Sequence, residues 1–131
     1  MFLGKHITVD MFDVDMESLN NVNSDMEQLE LWDQFIKDTF TDANITLLNT
    51  SWHNFDNKGA FTVLYLLAES HLSIHTWPEH KYIALDVFTC GSSNTELVVD
   101  KVIQYFRPKR IEKNLLNRGE IEKNKLLTIS H

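Results

Sequence analysis

The chain is predicted to be an α+β protein: a two-layer αβ sandwich, with an antiparallel sheet and helices on one face, that dimerises. Three observations predict this. Apolar residues recur at helical spacing in only two stretches, whereas extended stretches rich in β-branched and aromatic residues fill most of the rest. The order is a strand, a helix, a run of strands joined by turn residues, and a second helix. Two helices cover one sheet face only, so a second copy of the sheet is the natural cover for the other.

The elements follow in order. Leu3 to Phe12 alternates, with Ile7, Val9 and Met11 on one face and His6, Thr8 and Asp10 on the other. Asp13 to Asn23 is a polar connection. Ser24 and Glu27 stand at capping-box spacing and open a helix over about residues 24–40. Leu29, Trp32, Ile36 and Phe40 form its apolar stripe, and Asp25, Glu27 and Glu30 suit its N-terminal end. Ile45 to Phe55 is a second strand, and Asp56-Asn57-Lys58-Gly59 a turn. Ala60 to Leu67 is a third strand, whose nearly unbroken apolar run predicts cover on both faces.

His71 to Trp77 and Tyr82 to Thr89 are extended, joined by the turn Pro78-Glu79-His80-Lys81. Asn94 or Thr95 caps a second helix carrying Val98, Val102, Tyr105 and Phe106, and Pro108 stops it. From Lys109 onward the pattern is weak and predicts a loop, with a short strand near Leu126–Ile129.

The 131 residues make one domain, 1–131. Hydrophobic residues are 43% and mean hydropathy is −0.26, so a soluble globular chain is expected. No apolar run is long enough to span a bilayer, and Met1-Phe2-Leu3 leads straight into charge, unlike a signal peptide. The expected location is cytoplasmic. A net charge of −7 disfavours nucleic acid and anionic membranes as partners. The short basic cluster Arg107-Pro108-Lys109-Arg110 reads as a solvated helix end. A single cysteine, Cys90, excludes an intrachain disulfide.

Chemistry concentrates in Glu69-Ser70-His71-Leu72-Ser73-Ile74-His75-Thr76-Trp77-Pro78-Glu79, followed by Asp86-Val87-Phe88-Thr89-Cys90-Gly91. If Trp77 pairs with Tyr82 in a hairpin, Cys90 falls opposite Glu69 or Ser70, where cross-strand Cβ atoms are about 4.5–5.5 Å apart. His75, five residues along the strand, lies about 16 Å from Ser70. If His75 works with Ser70, a two-fold partner supplies it. His71 and His75 are about 13 Å apart in an extended chain, too far to ligate one ion, and no metal is expected.

These two segments resemble the prokaryotic-type S-adenosylmethionine decarboxylase family, small pyruvoyl-dependent enzymes of spermidine synthesis. The resemblance runs from Leu3-Gly4-Lys5-His6 to about Arg118-Gly119. It implies a homodimer of cleaved protomers with shared active sites, acting on S-adenosylmethionine. It also implies self-cleavage between Glu69 and Ser70 into a β chain, 1–69, and an α chain, 70–131. The Ser70 hydroxyl would attack the preceding carbonyl, and elimination and hydrolysis would leave a covalent pyruvoyl group derived from Ser70. Decarboxylating an α-amino acid leaves a carbanion for which side chains offer no electron sink, and a ketone that condenses with the substrate amine supplies one.

By the same resemblance, His75 assists processing and Cys90 returns a proton to the α-carbon. Glu79 binds the ribose hydroxyls, and Phe55 stacks on adenine. Thr62 stands where the family usually has a processing serine, and its extra methyl stiffens the side chain. His80-Lys81 replaces a more usual tyrosine-glycine. Two alternatives stay open: a pyruvoyl-dependent decarboxylase of arginine or ornithine on the same scaffold, and an uncleaved, inactive regulatory subunit.

Overall fold

In β1 (Phe2–Phe12) Ile7, Val9 and Met11 are buried, while the residues between them are only partly covered. That period of two is what one covered sheet face imposes. The structure is a computed structural model that describes residues 1–16, 19, 24–55, 58–90 and 93–122. α1 (Asp25–Asp42) begins at Ser24, whose hydroxyl accepts from the Glu27 backbone N–H at 3.2 Å. β2 (Leu47–Asn54), β3 (Phe61–Leu67), β4 (Ser70–Trp77) and β5 (Tyr82–Cys90) follow. Then come α2 (Thr95–Phe106) and β6 (Arg110–Glu120).

The six strands form one sheet in the order β2-β3-β4-β5-β1-β6, and every neighbouring pair is antiparallel. Both helices pack on one face. Leu29, Trp32, Ile36 and Phe40 of α1 and Val98, Val99, Val102 and Phe106 of α2 join the inward residues of β1, β3, β4 and β5 in one core. Trp32 is fully buried, with its ring edge-on to Phe61 and Phe106. Truncating such a ring to alanine costs about 3–5 kcal/mol. The predicted two-layer α+β sandwich is thus what the chain forms.

The β4–β5 register is the predicted one, with Trp77 opposite Tyr82 and His71 opposite Phe88. The turn between these strands is a single 3₁₀ turn, Pro78–His80, closed by Lys81 in the left-handed region at φ 51°.

Within one chain β3 is buried on one face, at Phe61, Val63, Tyr65 and Leu67, while Leu64 and Leu66 on the other face are 45% and 48% exposed. The apolar run therefore places hydrophobic side chains on the sheet face away from the helices. Two expectations are corrected. The stretch after Lys109 is no loop over residues 110–120, where β6 pairs with β1 from Phe12↔Arg110 to Phe2↔Glu120. The short strand expected near Leu126–Ile129 lies outside the described residues. Arg107 and Arg110 are also more than a solvated helix end. Arg107 donates to the Leu19 carbonyl at 2.8 Å, and the Arg110 guanidinium sits 3.9 Å above the Phe12 ring.

Candidate active site

The β3–β4 connection has only two residues, Ala68 and Glu69, since Leu67 pairs with Ser70. Glu69 takes φ 61°, the left-handed region that an L-residue with a Cβ enters at a cost of about 1–2 kcal/mol. The next residue, Ser70, is buried, and its hydroxyl has no hydrogen-bond partner among the described residues. A buried polar atom left unpaired costs about 1–3 kcal/mol. The Glu69–Ser70 bond thus joins a strained residue to an unsatisfied hydroxyl, two costs that cluster at functional sites.

Alternation along β4 puts Ser70, Leu72, Ile74 and Thr76 on the helix side, and His71, Ser73 and His75 on the open side. On β5, Thr89 is fully buried and its hydroxyl meets that of Thr95, so Cys90 faces the open side. Continuing the register beyond His71↔Phe88 sets Cys90 opposite Glu69. The two residues are neighbours in the ladder as predicted, but Ser70 and Cys90 point to opposite faces. Cys90 Sγ lies 3.3 Å from Ser93 Oγ, shortly before α2.

A second group of predicted residues meets elsewhere. Phe55, Thr62, His75 and Glu79 line one cavity of about 410 Å³, with Trp77 in its wall. β3 and β4 create it by pairing Thr62 with His75, and Thr62 Oγ1 lies 3.0 Å from His75 Nδ1. The His75 ring stacks on Trp77, with centroids 5.8 Å apart. Phe55, the residue after β2, is 64% exposed, with the His53 ring set edge-to-face against it at 4.8 Å between centroids. Glu79 sits in the 3₁₀ turn and also borders a larger, charged cleft of about 580 Å³ with Asp15, Asp25, Lys58 and Lys81.

The predicted residues therefore fall into two sets. Glu69, Ser70 and Cys90 gather at one end of the β4–β5 hairpin, and Phe55, Thr62, His75 and Glu79 at the other. β4 runs continuously over Ser70–Trp77, so the estimated separation of about 16 Å between Ser70 and His75 holds within one chain.

Sequence reading missed a cluster on the open face between them. Asp86 Oδ1 lies 2.5 Å from His6 Nε2, and Asp86 Oδ2 lies 3.6 Å from His71 Nε2. His6 and Asp86 are 80 positions apart, and only the β1–β5 pairing joins them. Among the described residues no group of three or more His, Cys, Asp or Glu is placed to hold a metal, and no helix is long and apolar enough to cross a membrane.

Comparison with known proteins agrees in sequence and in fold. The family profile described as S-adenosylmethionine decarboxylase matches residues 5–119. The chain is 39% identical over 123 residues to the S-adenosylmethionine decarboxylase proenzyme of Sulfurihydrogenibium sp., covering 93% of this chain and 86% of that protein. It is 40% identical over 121 residues to the proenzyme of Aquifex aeolicus, covering 92% and 84%. The crystal structure of the adenosylmethionine decarboxylase from Aquifex aeolicus superposes with a TM-score of 0.77 at 33% identity, over 93% of this chain and 95% of that one. On a profile spanning most of its length, relatives matched over more than four fifths of theirs, and a shared fold, the chain belongs to the S-adenosylmethionine decarboxylase family.

Proposed function

We propose that the chain cleaves itself between Glu69 and Ser70 and, as a dimer of cleaved protomers, decarboxylates S-adenosylmethionine to the aminopropyl donor of spermidine synthesis. The observation that carries this reading is the junction itself: Glu69 at φ 61° beside a buried Ser70 hydroxyl without a partner among the described residues. A serine in that state fits the precursor of a pyruvoyl group.

The Ser70 hydroxyl attacks the Glu69 carbonyl and converts the peptide bond to an ester. Elimination breaks the Ser70 Cβ–O bond and releases Glu69 as a carboxylate. One water then replaces the nitrogen, which leaves as ammonia, so residue 70 ends as a pyruvoyl group at the start of the 70–131 fragment. That ketone supplies the electron sink a decarboxylation needs.

The chain's other residues bind and move protons. His75, held by Thr62, takes the proton that elimination removes. Cys90 faces the open side and returns a proton to the substrate's α-carbon. Glu79 accepts from the ribose hydroxyls, and Phe55 stacks on adenine in the same cavity. An aromatic wall beside a carboxylate suits a cationic nucleoside better than arginine or ornithine. His75 lies on the open face, about 16 Å along β4 from its own Ser70, so it takes the Cα proton of residue 70 of a second copy laid across that face, while the Ser70 side chain stays on the helix side. Exposed Leu64 and Leu66 give that face the apolar area a second sheet covers.

Intact mass spectrometry of freshly expressed protein under denaturing conditions tests the reading. The expected result is two fragments, one ending at Glu69 and one beginning at a pyruvoyl-blocked residue 70, with carbon dioxide released from S-adenosylmethionine. A single chain of 15.3 kDa after long incubation overturns it in favour of an uncleaved subunit.

A further inference from the structure

If the chain is cut before Ser70, as read above, residue 70 loses its covalent anchor and becomes the loose end of a strand. An electron sink works only when its carbonyl is held against the substrate, and a misplacement of about 1 Å can cost about a hundredfold in rate. Something must therefore hold the start of β4 once the two-residue turn is opened.

The open sheet face carries such a hold. His71 is the second residue of the new fragment, and alternation turns its side chain away from the helix layer. It lies in a row across three strands, His71↔Phe88 on β5 and Phe88↔His6 on β1. The His71 ring stacks on Phe88 with centroids 6.0 Å apart and planes 15° from parallel. Phe88 is itself wedged. A Cβ on Gly4 would meet its Cζ at 2.6 Å, so a side chain there would displace the ring from its present place. Arg118 of β6 stands 5.5 Å above the same ring and 3.5 Å from His6 Nδ1.

Asp86, two residues before Phe88, ties the row together. One carboxylate oxygen binds His6 at 2.5 Å and the other faces His71 Nε2 at 3.6 Å. His6 lies on a strand within the 1–69 fragment, whereas Asp86 and His71 lie in the 70–131 fragment, so the contact also joins the two pieces across the cut.

We propose that Asp86 is a positioning residue for the pyruvoyl end of the second fragment, acting through His71. Asp86 fixes the imidazole, the imidazole fixes the first turn-free residues of β4, and these fix the direction of the carbonyl at residue 70.

The test uses the full chain with Asp86→Asn, Asp86→Glu and His71→Phe, the last keeping the stack on Phe88 while removing the Asp86 contact. Fragment formation is read first by intact mass. Then kcat, KM and the rate of reaction with phenylhydrazine are measured. We expect Asp86→Asn and His71→Phe each to give two fragments and kcat lowered about tenfold or more, with KM within about threefold. Phenylhydrazine should react faster with the loosened end, and Asp86→Glu should regain most of kcat.

Cleaved variants with wild-type kcat overturn the positioning role and leave the cleavage reading intact. A joint loss of kcat, KM and thermal stability that Asp86→Glu does not relieve makes Asp86 merely structural and also overturns it. A wild-type chain that stays in one piece removes the cleavage reading, and this role with it.

Discussion

Thr62 Oγ1 and His75 Nδ1 lie 3.0 Å apart across the β3–β4 ladder, where the two residues are paired directly. The hydroxyl engages one ring nitrogen, so Nε2 is the nitrogen that would move a proton in the proposed processing. Thr62→Val removes the hydroxyl at nearly constant volume. It should slow fragment formation about tenfold or more, whereas Thr62→Ser should cleave at least as fast as the parent. A time course of intact mass after expression checks both, and equal rates for valine and threonine would remove Thr62 from processing.

Glu79 and Phe55 share the cavity that holds His75. If they bind substrate without touching the reacting atoms, their loss removes binding that ground state and transition state share. Glu79→Gln and Phe55→Ala should each raise KM about tenfold, roughly the worth of one base–aromatic stack or one charged hydrogen bond. The kcat value should change little. Steady-state decarboxylation kinetics decide it, and a fall in kcat at constant KM would place either residue nearer the chemistry.

Leu64 and Leu66 lie on the open face of β3 and are each nearly half exposed. Leu64→Glu with Leu66→Glu sets like charges where a second sheet would lie, and burying unpaired charges is costly. Sedimentation velocity should show the dimer reduced to monomer, with carbon dioxide release falling alongside. A monomeric but fully active variant would count against shared sites.

Burial, and then a hydrogen bond to Asp10, push the Tyr82 phenol from 10.0 up to about 12. Burial and Asp33 push Tyr65 upward as well. A phenol whose folded pKa is raised stabilises the fold fully below its unfolded pKa, and that contribution is lost as pH rises. Stability should therefore fall between pH 10 and about pH 12. Urea midpoints should fall less steeply over that range in Tyr82→Phe than in the parent. Equal slopes would mean that Tyr82 titrates as an ordinary surface phenol.

Much of the fold was legible because it is written in periodicity. Ile7, Val9 and Met11 at a period of two, and Leu29, Trp32, Ile36 and Phe40 at helical spacing, all face the core they predict. The β4–β5 register was legible too, because a short turn beginning at Pro78 leaves little choice of pairing. β6 was not. All eleven of its residues are exposed, so no burial pattern marks it, and it is held by backbone pairing with β1 alone on one side.

The sequence by itself determined the two helices, five of the six strands of the sheet, the motif around Ser70 and the family. Each of these depends on residues close together in the chain or on a contiguous motif. Only the tertiary structure decided which face each residue uses and which distant residues meet. It set Ser70 toward the helices and Cys90 away from them, and gathered Phe55, Thr62, His75 and Glu79 around one cavity. It also brought His6, Asp86 and His71 together. Faces and long-range partners follow from how strands pair, and pairing is a property of the folded sheet that no local stretch carries.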